Sequence, residues 1–391
     1  MTNHPTPKSV NNNIPAVVVG GGLNALGIVR SLSQAGIALI VVDDDLKSPA
    51  MRSRYGRKVH CAALEGEPFA ACLLGLARDY PQRMMLFVTE EKSVIAISEM
   101  RERLAPSFYL RLPGHERLMA LMHKQGFQEL AEQVGAPVPR TVRVESPADL
   151  PKIEQLTFPC VFKPSKKDYG YGAKFKKAYK VGSPAEVAAL YKEIHPVLAD
   201  MVCQEWIEGT DDEVYFCLQY VGADGAAVSS FSGRKIRAWP PRIGGTASCT
   251  AAWEVADELA EMTTRFFRQV EFTGMGSMEY KRDERDGRFY MVEPTVARTD
   301  FQEEVATLNG VNIPQAAYLY ESGLTQVAPQ KTATPQVWRE PMCDKWSFQE
   351  GGGKIDQRSQ SHVVNDAYFR LHDPRPWFDL MARRVLSRLG R

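Results

Sequence analysis

Three separated stretches of the chain carry side chains that could handle phosphate and a divalent cation. The first is Phe158-Pro159-Cys160-Val161-Phe162-Lys163-Pro164, an apolar run ending in lysine, followed closely by Lys167-Asp168-Tyr169-Gly170-Tyr171-Gly172-Ala173-Lys174. A lysine at a strand end supplies charge to a phosphate, and glycine amides can approach and close over it. The second is Gln204-Glu205-Trp206-Ile207-Glu208-Gly209 with Glu213 behind it. The backbone edge of such a strand can hydrogen-bond a purine, and a carboxylate can hold ribose hydroxyls. The third is the pair Gly276–Lys281 and Arg288–Glu293 around Arg282-Asp283-Glu284-Arg285-Asp286-Gly287. A three-residue loop with Gly287 left-handed puts Glu279 directly opposite Glu293, whereas a two-residue Asp-Gly loop puts them on opposite faces. Facing carboxylates weaken a sheet unless a cation bridges them, and Mg²⁺ takes one or two carboxylates plus phosphate oxygens.

A fourth signal, Gly20-Gly21-Gly22-Leu23-Asn24-Ala25 with Asp43 further on, fits the loose dinucleotide fingerprint. Any tight strand-to-helix turn needs such glycines, and the purely structural turn is the favoured reading. The alternative reading that the fingerprint carries is an NAD(P)-dependent oxidoreductase.

These residues need elements to hold them. Pro15–Val19 reads as a strand, Asn24–Gln34 as a helix stopping at Gly36, and Ile37–Val42 as a second strand, which makes a βαβ unit and a parallel sheet. Helices near 68–80 and 94–104 and strands 84–88 and 108–110 continue the alternation, so residues 14–120 are read as an open α/β domain after a disordered lead-in, 1–13. A helix over 118–134 meets the breakers Gly135, Pro137 and Pro139. Beyond it the pattern is α+β: strands 158–163, 175–181, 201–207, 213–220 and 227–232, with a helix 184–195. The lobes that follow span 121–325, the smaller at about 138–205, and a C-terminal extension, 326–391, ends in an apolar-basic helix over 376–389.

The bulk properties bound the partners. The chain has 391 residues, 44% of them apolar, and 48 basic against 47 acidic side chains, so no global excess of charge recruits nucleic acid. No apolar run reaches the roughly 18 residues of a membrane span. Seven dispersed cysteines without a CxxC pair read as reduced thiols of a cytoplasmic protein.

Taken in order, the lysine, the glycine loop, the acidic strand edge and the paired glutamates resemble the ATP-grasp superfamily. The resemblance covers roughly residues 14–325 and is nearest to carboxylate–amine ligases of the D-aspartate ligase type. Ser232-Gly233-Arg234-Lys235-Ile236-Arg237 and Pro240-Pro241-Arg242-Ile243-Gly244-Gly245-Thr246-Ala247 contribute to it. The fold implied is an N-terminal open parallel-sheet α/β domain followed by α+β ATP-grasp lobes. The activity implied is amide formation from a small carboxylic acid and an amine through an acyl phosphate, with ATP and Mg²⁺ as cofactors. By the same resemblance Lys124 and Lys163 meet phosphates, and the loop 167–174, with Lys167, Tyr169, Gly170 and Gly172, forms a lid. Glu205, Trp206 and Ile207 meet adenine, and Glu213 the ribose. Arg234 or Lys235 reaches the γ-phosphate, Glu279 and Glu293 hold Mg²⁺, and Arg298 holds the acyl phosphate.

Departures from the superfamily are visible too. Thr295 stands where an Asn is usual after the second metal acid, Arg298 comes one position late, and His123 replaces the Asp before the first lysine. A non-catalytic ATP-binding relative is therefore a further reading. Arg237, Gly244, Gly245 and Thr246 are read as substrate contacts, since arginine and glycine amides suit an anionic acid such as an amino acid. Residues 326–391 are read as packing on the large lobe or as a homodimer interface.

Overall fold

Val17, Val18 and Val19 are β-branched, fully buried and held between Pro15 and the glycine turn, so the chain enters the fold as a core strand. The computed structural model describes residues 14–165, 169–176, 178–242, 244–300, 303–353 and 355–388. The N-terminal domain runs β1 (Ala16–Val19), α1 (Leu23–Gln34), β2 (Leu39–Asp43), α2 (Pro49–Arg52), β3 (Arg57–His60), α3 (Gly66–Ala77), β4 (Met84–Val88), α4 (Glu91–Glu99), α5 (Arg101–Leu104) and β5 (Phe108–Tyr109). The strands are parallel in the order β3-β2-β1-β4-β5. The helix expected over 94–104 is two helices divided at Met100.

The helix expected over 118–134 is likewise two, α6 (His115–Met122) and α7 (Lys124–Gln133), with His123 extended between them. Gly126 makes the bend possible: a Cβ there would lie 2.4 Å from the carbonyl oxygen of Ala120.

The small lobe holds β6 (Thr141–Val144), β7 (Cys160–Pro164), α8 (Tyr169–Gly172), β8 (Tyr179–Val181), α9 (Pro184–Ile194) and β9 (Met201–Glu205). Its four strands are ordered β6-β9-β7-β8. Phe162, Val187, Tyr191, Ile194 and Cys203 pack with Val142 and Val144 into a core belonging to this lobe alone. The strand expected over 175–181 keeps only its last three residues, because Tyr171 stacks on Phe175 at 5.3 Å and draws that segment into a turn.

The large lobe is a seven-stranded sheet, β14-β13-β10-β11-β12-β15-β16. Its strands are β10 (Val214–Val221), β11 (Ala227–Trp239), β12 (Gly245–Ala251), β13 (Gly274–Arg282), β14 (Phe289–Val296), β15 (Gln336–Arg339) and β16 (Val363–Asp366). α10 (Ala256–Gln269) covers one face, burying Leu259, Phe266 and Phe267 against Cys217, Met278 and Tyr280. α11 (Glu303–Leu308) and α12 (Ile313–Glu321) lie on the other, where Val305 and Tyr318 join Phe216, Phe231 and the α1 residues Ile28 and Val29. Both of these cores include strands of the N-terminal sheet, so the two domains share their interior.

Residues beyond 326 supply β15 and β16 to the same sheet. α13 (Pro341–Glu350) packs on β11 and β12, and α14 (Arg375–Arg388) returns to α2 of the N-terminal domain. All seven cysteines are unpaired. Among the described residues no helix is long and apolar enough to cross a membrane.

Candidate functional site

Glu279 of β13 and Glu293 of β14 are direct cross-strand partners. The route to that pairing differs from the three-residue loop expected from the sequence. Gly287 is left-handed, with φ +74°, but Arg282 pairs with Phe289 beside the turn, and the register then changes between Tyr280↔Met291 and Glu279↔Glu293. Val292 is the extra residue, bulged and exposed. Strict alternation would send Glu293 to the side of Met291, into the α10 core. The bulge turns it onto the face of Glu279.

Lys235 of β11 reaches this pair. Its side chain is buried, and Nζ lies 2.7 Å from Oε2 of Glu279. Glu293 is exposed and makes no ion pair among the described residues. An ammonium beside one carboxylate, with a second carboxylate across the ladder, is an arrangement into which Mg²⁺ and phosphate oxygens fit. Two carboxylates are the number Mg²⁺ takes when phosphate oxygens and water complete its shell; among the described residues no group of three or more His, Cys, Asp or Glu side chains could hold a metal ion.

β11 carries an opposite device. Lys235 pairs with Cys249 and Arg237 with Ser248, leaving Ile236 as an extra residue. The bulge moves Arg237 off the face of Lys235 and onto that of Arg234. There Arg237 Nη1 lies 2.8 Å from Asp344 and its guanidinium stacks over Phe348 at 5.1 Å. Arg234 is buried and bonds Asp356 and Ser359, each at 2.9 Å. Of the pair expected to share the γ-phosphate role, Lys235 therefore faces the carboxylates and Arg234 faces the C-terminal segment. Arg237, expected to meet substrate, lies on the face of the sheet opposite to Lys235 and Glu279. Gly244 has a structural reason to be glycine: a Cβ would sit 1.9 Å from the backbone carbon of Trp239. Gly245 pairs with Trp239, and Thr246 is buried opposite Ala238.

On the small lobe, Lys163 projects from β7, with Nζ donating to Oε1 of Gln204 at 3.1 Å. Gly170 and Gly172 lie in the short helix α8, held down by the Tyr171 hydroxyl donating to the Lys176 carbonyl at 2.7 Å. Lys167 and the side chain of Tyr169 lie outside the described residues. Lys124 opens α7 and is exposed.

The connection from small to large lobe is strapped to the β13–β14 hairpin. The Trp206 carbonyl accepts from Arg285 at 3.3 Å, and the Gly209 carbonyl accepts from Lys281 Nζ at 2.8 Å. Burial lowers the pKa of Lys281, opposed by Asp211 and Glu213. Glu205 accepts from the Thr157 amide at 2.7 Å, and Trp206 lies under Lys180 at 4.8 Å. Ile207 lies just after β9, in the irregular strap between the lobes. Glu213 precedes β10, where burial raises its carboxyl pKa and Arg358 lies 3.5 Å away. Arg358 also bonds the Tyr215 hydroxyl at 3.2 Å and the Asp212 carbonyl at 2.7 Å. Nothing in the motif pattern singled out Arg358, Asp344 or Asp356.

The Gly20–Gly22 turn is not open to a pyrophosphate on the side that faces β2. A Cβ on Gly21 would fall 1.8 Å from Ser48 Oγ and 1.9 Å from Asp43 Oδ2, so the chain's own side chains fill that approach. Asp43 is buried, accepts from Ser48, and has its pKa raised chiefly by burial. This disfavours the dinucleotide reading.

No known family profile matches the sequence. The chain is 22% identical over 323 residues to D-aspartate ligase of Enterococcus faecium, strain Aus0004, covering 78% of this chain and 75% of that protein. It superposes on N5-carboxyaminoimidazole synthetase of Staphylococcus aureus with a TM-score of 0.63 at 13% identity, covering 89% of this chain and 88% of that one. It also superposes on the biotin carboxylase domain of Hydrogenobacter thermophilus 2-oxoglutarate carboxylase, solved with MgADP and bicarbonate, with a TM-score of 0.58 at 14% identity and coverage of 82% and 73%. The fold is the ATP-grasp fold, an α/β domain with a parallel sheet followed by the two α+β lobes. The resemblance to D-aspartate ligase holds over most of the chain, and the biotin carboxylase neighbour of the same fold was solved with MgADP bound.

Proposed function

We propose that this chain is an ATP- and Mg²⁺-dependent ligase that joins a small carboxylic acid to an amine through an acyl phosphate. The observation that carries the reading is Glu279 opposite Glu293 with Lys235 at 2.7 Å, on the sheet face that also carries Phe216 and Gly233. Glu279 and Glu293 would hold Mg²⁺, which supplies neutralisation of phosphate charge. Lys235 would leave Glu279 for a phosphate oxygen as the cation takes its place. Lys163 and Lys124 add charge for the phosphates, residues 205–207 offer the adenine edge, and Glu213 the ribose contact. Arg298 is the residue assigned to the acid and its phosphate. The name of the Enterococcus relative makes D-aspartate the first acid to try.

The test is phosphate release from MgATP with D-aspartate, and then other amino and carboxylic acids, each with pooled amines. Acid-dependent release that falls at least 100-fold in Glu279→Gln is the expected result. ATP binding without release for any acid would favour the non-catalytic reading, and stabilisation by NAD alone would remove the nucleotide assignment.

A further inference from the structure

The motif left unexplained by this function is Gly20-Gly21-Gly22-Leu23-Asn24. Its glycine turn is filled from within, yet it ends in a buried, fully engaged Asn24, 6% exposed near the start of α1. The Asn24 amide Nδ2 donates to the carbonyl of Thr299 at 2.5 Å and to that of Thr89 at 3.2 Å. Its Oδ1 accepts the hydroxyl of Thr299. Only one orientation of the amide satisfies all three contacts, because two are carbonyl acceptors and the third is a hydroxyl able to donate. The same Thr299 carbonyl accepts a second hydrogen bond, 3.2 Å from Arg298 Nη1. One oxygen is thus gripped by the N-terminal domain and in turn grips Arg298.

The backbone before Arg298 needs that grip. The ladder of β14 ends at Val296, paired with Gly276, and Ala297 adopts a left-handed conformation at φ +55°. A non-glycine residue there is strained and persists only where its surroundings over-determine it. Ala297 is also the residue that displaces Arg298 by one position, so the left-handed step and the Asn24 clasp together decide where the guanidinium lies.

We propose that Asn24 is a positioning residue for Arg298, acting through both the carbonyl and the hydroxyl of Thr299. The glycine-rich turn and α1 are thereby an anchor through which the N-terminal domain sets the acid-binding arginine. This role rests on the ligase reading for its catalytic meaning, but the positioning itself can be measured without turnover.

In Asn24→Ala, phenylglyoxal labelling of the peptide containing Arg298, followed by mass spectrometry, is expected to run at least threefold faster than in the wild type. Labelling of Arg237, which is held by Asp344 and Phe348 and shares no partner with Asn24 among the described residues, is expected to keep its rate. An unchanged Arg298 rate, or a rise shared by Arg237, overturns the proposal. Should Asn24→Ala not fold, Thr299→Val removes only the hydroxyl partner and is read in the same way. In turnover with D-aspartate and MgATP, Asn24→Ala is expected to raise KM for the acid at least tenfold while KM for ATP stays within twofold. Equal changes in both constants count against positioning. A wild-type protein that releases no phosphate with any acid removes the ligase reading and leaves the labelling result to decide the role of Asn24.

Discussion

Glu303 is the most perturbed carboxylate among the described side chains outside the site. It is fully buried between α11 and α1, accepts from Ser31 at 2.9 Å and Thr307 at 3.3 Å, and its Oε2 has no hydrogen-bond partner among the described residues. Burial, with Glu304 adding to it against the two hydroxyls, pushes its pKa up to about 8. An acid whose folded pKa exceeds the unfolded value of about 4.3 keeps a proton that the unfolded chain has released, so stability falls as pH rises between those two values. Glu303→Gln should therefore raise the thermal midpoint over wild type at pH 8, by a margin that shrinks toward pH 5. A margin independent of pH would contradict the assignment. In the site itself, Glu279→Gln removes half of the facing carboxylate pair. It should raise the Mg²⁺ concentration needed for half-maximal phosphate release at least tenfold, measured by metal titration at saturating ATP.

At the scale of elements, two β-bulges select the chemistry. The one at Val292 brings a carboxylate onto the face of Glu279, and the one at Ile236 takes an arginine off the face of Lys235. Each inserts one residue and so reverses the alternation of everything beyond it. Backbone conformation matters as much at Ala297, where φ is +55°. Glycine tolerates that region freely, so Ala297→Gly should relieve strain of about 1 kcal/mol and fold with a thermal midpoint at or above that of wild type, read by calorimetry. Ala297→Val should be destabilised, since a β-branched residue is a genuine outlier there. Gly21→Ala has the opposite logic to Ala297→Gly: its Cβ would collide with Ser48 and Asp43, a cost of about 1–3 kcal/mol readable in chemical denaturation.

Across the whole molecule, the C-terminal segment closes the chain on itself through Arg30 of α1. This guanidinium is 1% exposed and bonds Glu304 at 3.3 Å, Asp373 at 3.1 Å and the carbonyls of Ala367 and Tyr368 at 2.7 Å. Arg370 pairs with the same Glu304 at 2.9 Å, and Trp338 donates to its other oxygen at 3.0 Å. Removing one member of such a buried set strands the others, at about 3–5 kcal/mol. Arg30→Ala should lower the stability of the N-terminal domain and the large lobe together, because their cores are continuous. The small lobe, with a core of its own, should show much less change in hydrogen-exchange protection. Equal loss of protection in all three would refute that division.

Local order was legible along the chain wherever a periodic apolar pattern met a breaker. The βαβ entry at Ala16–Asp43 and the small-lobe strand ending at Lys163 and Pro164 follow from spacing and turn chemistry, whereas the opposition of Glu279 to Glu293, expected from a three-residue loop, is made by the Val292 bulge. Those signals are short-range, and the sequence states them directly. Tertiary structure alone decided which face each charged side chain occupies, because a one-residue bulge leaves almost no mark in composition or periodicity. It also decided the partners of Arg30, Arg234 and Arg237 and the pairing of Asn24 with Thr299, all more than 100 residues apart in the chain. Pairing over such separations is set by how the sheets stack and where the tail returns, and no local pattern encodes it.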